Sequence, residues 1–130
     1  AALDFGVEIA IGPTVREADG LAMSSRNRRL SPDQRKAALA IPRGLELANQ
    51  AFRAGERSSM ALSNIVAEEI LGESDTQVDY ADVIRLEGFE PVEQATDRGC
   101  ILAVAAFVGE IRLIDHIHLG GTALPVATGD

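Results

Sequence analysis

Tryptophan is absent from this 130-residue chain, cysteine occurs once, and aromatic residues make up only 4%. A single cysteine forms no internal disulfide, and Cys100 lies in the apolar run "CILAVAAF", where it is expected to pack as a small hydrophobe. Too few aromatics remain to stack on bases, which counts against a nucleic-acid grip. No run of about 18 apolar residues occurs, and the opening "AALDFGVEIAIGP" lacks a basic start, so neither a membrane span nor a signal peptide is expected. A cytoplasmic location is the resulting expectation. Basic residues are also scarce, twelve against twenty acids, for a formal charge of -8.

The few bases are gathered in one place. Arg16, Arg26, Arg28, Arg29, Arg35, Lys36 and Arg43 face only Glu17, Asp19 and Asp33 in the same window, which therefore carries +4 while the rest of the chain carries -12. Such a distribution argues for one local anion site, with phosphate the obvious anion, and against a general nucleic-acid surface. Length and a hydrophobic content of 46% suit one small domain with a core, and hardly a complete multi-substrate enzyme.

Val7, Ile9 and Ile11 alternate with Glu8 and Ala10 up to Gly12-Pro13, so 7–15 reads as a short strand with no partner upstream. Ser31, Pro32 and Gln34 give an N-cap, a first helical position and a capping box, so a helix begins at Ser31. Ala38, Ile41, Leu45, Ala48 and Phe52 form its buried stripe, and Gly55 stops it. Pro42 should kink or split this helix near Ala38 to Ile41, since an unbroken ladder costs about 3 kcal/mol at an interior proline. A second helix fits "SMALSNIVAEEILG", capped by Ser58 or Ser59, with Leu62, Ile65, Val66 and Ile70 inward.

Strand periodicity follows. "QVDYADVIRL" alternates Val78, Tyr80, Asp82 and Ile84 against Asp79, Ala81, Val83 and Arg85, and "CILAVAAFV" and "IRLIDHIHL" flank Gly109-Glu110 as an antiparallel hairpin with a type II′ turn. The fold class is α+β, a three-stranded antiparallel sheet packed against helices. The tail "GGTALPVATGD" has little to bury and is expected to be mobile. His116 and His118 point to one face but lack a third ligand, so they read as a polar strand face and no metal site is assigned. Glu68-Glu69 diverge on a helix and Asp79/Asp82 fall on opposite strand faces, so these acids read as solvated surface.

In "MSSRN", two adjacent hydroxyls, their backbone N–H groups and a guanidinium one residue later can surround a polyphosphate, with Arg26 making paired charge-assisted hydrogen bonds. The longer stretch "VREADGLAMSSRNRRLSPDQRKAAL" resembles the segment of the pantothenate synthetase (pantoate–β-alanine ligase) family that carries its version of the KMSKS loop. "VDYADVI" is similar to the family's first C-terminal strand and "GEIRLIDHIHL" to its closing "TRLIDN" strand, so the resemblance covers essentially the whole chain.

The resemblance implies an enzyme that uses ATP and Mg²⁺ to turn pantoate into an enzyme-bound pantoyl adenylate with release of pyrophosphate. The amine of β-alanine then displaces AMP to give pantothenate. It places the nucleotide loop on Met23, Ser24, Ser25 and Arg26, and a further ATP contact, made by backbone to adenine, on Val15. Ser24, Ser25 and Arg26 are expected to bind the phosphates, and Arg26 to neutralise charge on the departing pyrophosphate as the loop closes. The family's His-x-x-His, its pantoate-holding glutamines and its Gly-x-Lys-Asp stretch are not found, and His116 stands where the family usually has asparagine. The chain thus resembles a C-terminal lid lacking its N-terminal Rossmann-like partner domain and is expected to be inactive alone. The implied division is 1–18 as exit strand and linker, 19–119 as lid and 120–130 as tail. A rival reading makes it an association module whose exposed first strand or sheet edge pairs with another copy as a homo-oligomer; a nucleic-acid module is opposed by the acidity.

Overall fold

The computed structural model describes residues 15–97 and 99–121, so most of the expected strand at 7–15 and residues 122–130 of the tail lie outside the described residues. Helix α1 (Pro32–Ala38) starts as the sequence dictates. Ser31 Oγ accepts from Gln34 N at 3.1 Å and Gln34 Oε1 accepts from Ser31 N at 2.9 Å, closing the capping box with Pro32 just inside. Pro42 splits the helix rather than kinking it. α1 ends at Ala38, and α2 (Ala40–Arg53) begins after Leu39, which puts Pro42 in the first turn, where a missing N–H costs nothing. Ala38, Ile41, Leu45, Ala48 and Phe52 are all buried, and Gly55 follows at φ 115°. α3 (Ser59–Leu71) is capped by Ser58, whose Oγ accepts from Ala61 N.

Four strands, not three, form the antiparallel sheet: β1 (Thr76–Arg85), β2 (Glu90–Pro91), β3 (Cys100–Val108) and β4 (Ile111–His118), in the order β2-β1-β3-β4. β2 pairs only Glu90 with Arg85 and Pro91 with Ile84. Two residues show no alternation, and an edge place tolerates the missing N–H of Pro91. The β3–β4 hairpin turns at Gly109-Glu110 with φ 58° at the glycine and no positive φ at Glu110, as a type II′ turn requires.

One face of the sheet packs on the helices. Leu102, Val104 and Ala106 of β3, Leu113 and Ile117 of β4, and Val83 of β1 join Ile41, Leu45, Leu62 and Val66 in one core. The other face buries Tyr80, Ile84, Ile101, Ala103 and Ala105, so β3 is covered on both sides and reads as an unbroken apolar run. The regular alternation expected in β1 is interrupted. Val78 pairs with Ala106 but Tyr80 with Ala105, so Asp79 is the extra residue of a bulge. Val78 consequently packs with Ala81 and Val83 toward the helices, while Tyr80 and Ile84 turn away. Arg112 donates to Asp79 at 3.0 Å and its guanidinium lies 6.0 Å from the centre of the Tyr80 ring, so Asp79 shares the side of Tyr80 and Asp82 instead of opposing it.

Candidate functional site

Residues 15 to 23 form a small hairpin ahead of α1. Glu17 N donates to the Leu21 carbonyl at 2.8 Å and Met23 N to the Val15 carbonyl at 2.9 Å, with Gly20 at φ 99° in the turn and Arg16 bridged to Ala22. Val15 and Met23, two of the expected contact residues, are thereby joined through their backbones, and both side chains are exposed. Ser24 then caps a 3₁₀ turn over Ser25–Arg29, its Oγ accepting from Arg26 N at 3.1 Å.

The window's basic residues divide into two groups. Arg35 binds both Glu17 and Asp19, and Arg43 binds Glu69 and Glu73 across α2 and α3. Arg16 is the most deeply committed, its guanidinium meeting Asp115 twice at 2.7 and 2.9 Å and reaching the Gly20 carbonyl at 2.9 Å. By contrast, Arg26, Arg28, Arg29 and Lys36 are exposed and meet no carboxylate among the described residues. Arg26 Nη1 donates instead to the Arg112 carbonyl at 3.0 Å. Because Arg112 and His116 sit at positions of β4 whose carbonyls point away from β3, Arg26 and Arg16, which reaches His116 O at 3.4 Å, cover part of the outer edge of the sheet.

Electrostatics follow from these pairings. Arg35's hydrogen bonds hold the Glu17 and Asp19 carboxyls below their ordinary values, with Asn27 assisting at Glu17. Burial raises the Asp115 carboxyl, against the pull of Arg16. Burial also pushes His116 down to about 4, helped by the charges of His118 and Arg16, so its imidazole is neutral at pH 7. The two histidine rings lie 6.0 Å apart on one face of the sheet. No group of three or more His, Cys, Asp or Glu suited to a metal ion occurs among the described residues.

Two cavities flank the loop. One of about 370 Å³ runs between the loop and β4 and is lined by Met23, Ser24 and Arg26 with Leu21, Arg112 and Leu113. Another, of about 480 Å³, lies on the α1 side and is lined by Met23, Ser24 and Ser25 with Arg28 and Arg35. Successive residues of a 3₁₀ turn point about 120° apart. Ser25 and Arg26 therefore face different cavities, while Met23, Ser24 and Asn27 line both.

Asn27 and Asp115 were not singled out from the sequence. Asn27 is buried and donates to Glu17 Oε2 at 2.5 Å and to the Ala22 carbonyl at 2.9 Å, bracing the hairpin against the 3₁₀ turn. Asp115 did leave a signal: it occupies the helix-facing parity of Ile111, Leu113 and Ile117, where a carboxylate is out of place unless paired.

Comparison with known proteins identifies relatives of the chain. The sequence pattern of the family described as pantoate-beta-alanine ligase matches residues 1–118. The pantothenate synthetase of Pelotomaculum thermopropionicum is 46% identical over 120 residues, covering 92% of this chain and 42% of that protein. The pantoate–beta-alanine ligase of Arabidopsis thaliana is 40% identical over 117 residues, 90% of this chain and 37% of its own length. A crystal structure of pantothenate synthetase from Thermus thermophilus superposes with a TM-score of 0.75 at 32% identity, over 83% of this chain and 38% of that one. The chain thus spans about two-fifths of the length of the relatives it matches. Matched by the family's pattern over residues 1–118 and by relatives over most of its length, the chain belongs to the pantoate–β-alanine ligase family.

Proposed function

We propose that this segment is the lid of an ATP-dependent ligase that condenses pantoate with β-alanine through a pantoyl adenylate, giving pantothenate, AMP and pyrophosphate. The observation that carries the reading is the state of Arg26. Its guanidinium is exposed, meets no carboxylate among the described residues and is tied down only by a backbone carbonyl, so its charge is available to an anion. The Ser24 and Ser25 hydroxyls are exposed beside it. Charge-assisted hydrogen bonds from such donors are worth about 1.5–3 kcal/mol each.

In this reading Arg26 leaves the Arg112 carbonyl and binds the phosphate oxygens where negative charge builds as pyrophosphate departs. Ser24 can donate its hydroxyl hydrogen while its oxygen still accepts from Arg26 N. The backbone of Val15, whose carbonyl also accepts from Met23 N, is the proposed adenine contact. Mg²⁺ finds no cage in the described residues, since Glu17 and Asp19, the acids of the hairpin, are occupied by Arg35 and Asn27. No step is therefore assigned to it here. ATP, pantoate and β-alanine are held mainly by an N-terminal Rossmann-like domain, the segment alone is inactive, and the enzyme works in the cytoplasm. No helix among the described residues is long and apolar enough to cross a membrane.

Arg26→Ala in the ligase that contains this segment tests the reading. Pantoate-dependent exchange of pyrophosphate into ATP should fall by roughly 10²- to 10³-fold, the cost of losing one donor to a developing charge, with the fold unchanged. An unaltered exchange rate removes the loop from the reaction.

A further inference from the structure

We infer that Asp115 is a positioning residue for the phosphate-binding loop and acts on it through Arg16; the inference rests on the nucleotide reading above. Asp115 is separated from Arg16 by 99 positions, yet both its oxygens are held by that guanidinium, and the two side chains are 2% and 7% exposed. Oδ1 also accepts from His116 N at 2.7 Å. A carboxylate so occupied cannot take a proton from a substrate or reach a phosphate, so any influence on the reaction passes through its partner.

Burial of this pair is not explained by stability. The neighbouring positions of the same parity are Leu113 and Ile117, and well-packed apolar side chains in place of both members of a buried ion pair are commonly neutral or stabilising. What the pair adds is geometry. Two parallel hydrogen bonds fix the guanidinium in orientation as well as distance. The same guanidinium donates to Gly20 in the turn of the hairpin, and Arg16 is bridged to Ala22, immediately before Met23. Asp115 thus fixes one strand of a hairpin whose other strand runs directly into Ser24, Ser25 and Arg26.

Loss of this anchor should displace the loop and leave the remainder of the fold in place. Adenylate formation then suffers, whereas reaction of β-alanine with an adenylate already made retains only the α-phosphate and makes no use of contacts to the departed pyrophosphate. The test measures both half-reactions in the ligase that contains this segment. Asp115→Asn, which keeps the size and removes the charge, should lower ATP–pyrophosphate exchange about 10- to 100-fold and raise the KM for ATP. Consumption of preformed adenylate should stay within about twofold of wild type, well inside that loss. Arg16→Lys keeps the charge and removes the fork, and should show the same split with a smaller loss. It decides the matter if Asp115→Asn does not fold. Equal losses in both half-reactions, no loss in either variant, or failure of both to fold would make the pair purely structural and overturn the inference. If Arg26→Ala impairs exchange while the pair's variants do not, only this inference fails. If Arg26→Ala leaves exchange unchanged, the nucleotide reading fails and the inference falls with it.

Discussion

Asn27 donates its amide to Glu17 across ten positions at 2.5 Å, and the other Glu17 oxygen takes Arg35 at 2.8 Å. The second amide bond of Asn27 goes to the Ala22 carbonyl, so both partners of its nitrogen are pure acceptors and the orientation of the side chain is fixed. Asn27→Asp sets a carboxylate against another carboxylate and removes both donors. It should destabilise the protein by about 1–3 kcal/mol, the cost of buried polar groups left unpaired. Urea denaturation measures this, and a change within error would mean that the brace contributes nothing.

Acid should loosen the hairpin before the sheet. The Glu17 and Asp19 carboxyls lie below their ordinary values of 4.5 and 3.8 in the folded chain. A depressed value means that their stabilisation is present above those ordinary values and is lost as pH falls through the depressed ones. Amide-exchange protection at residues 17–23 should therefore hold from neutrality down to about 4.5 and decline below 3.8 ahead of protection in β3. Simultaneous loss in both regions would contradict the pairing with Arg35.

Asp82 behaves in the opposite sense. It is half-buried in β1, and burial raises its carboxyl above 3.8 with no opposing cause. A raised value destabilises the fold once the group ionises, a penalty absent below 3.8 and complete above the folded value. Asp82→Asn should raise Tm at pH 7, and the gain should shrink as pH falls toward 3.8 and below. A pH-independent difference would assign the effect to packing.

At Gly44 the backbone of α2 packs tightly against that of α3. A β-carbon there would lie 3.1 Å from Val66 Cα and 3.2 Å from its carbonyl oxygen, both backbone atoms that cannot swing aside. Alanine gains about 1 kcal/mol in helix propensity over glycine, but overpacking costs typically 1–3 kcal/mol, so Gly44→Ala should be destabilising on balance. Thermal unfolding decides the sign.

Local signals carried much of this structure. The Ser31–Gln34 box, the break before Pro42 and the Gly109-Glu110 turn each depend on residues within one turn of one another, and each was legible. The bulge at Asp79 and the two-residue β2 were not, because a single inserted residue and a strand of two leave no periodicity to read. For the site, residues 23–26 were legible as a motif, whereas the opposite facing of Ser25 and Arg26 depends on the 3₁₀ turn that Ser24 nucleates. The pairing of Arg16 with Asp115 is set by tertiary packing over 99 positions, and only the odd parity of the aspartate hinted at it.

The most direct test is a structure of the ligase bearing this segment, solved with a non-hydrolysable ATP analogue and pantoate. The account predicts that the guanidinium of Arg26 has left the Arg112 carbonyl and lies within about 3 Å of phosphate oxygens, a charge-assisted hydrogen-bond distance, with Ser24 and Ser25 beside it. Arg26 still bound to that carbonyl, and both hydroxyls facing solvent with the nucleotide in place, would contradict it.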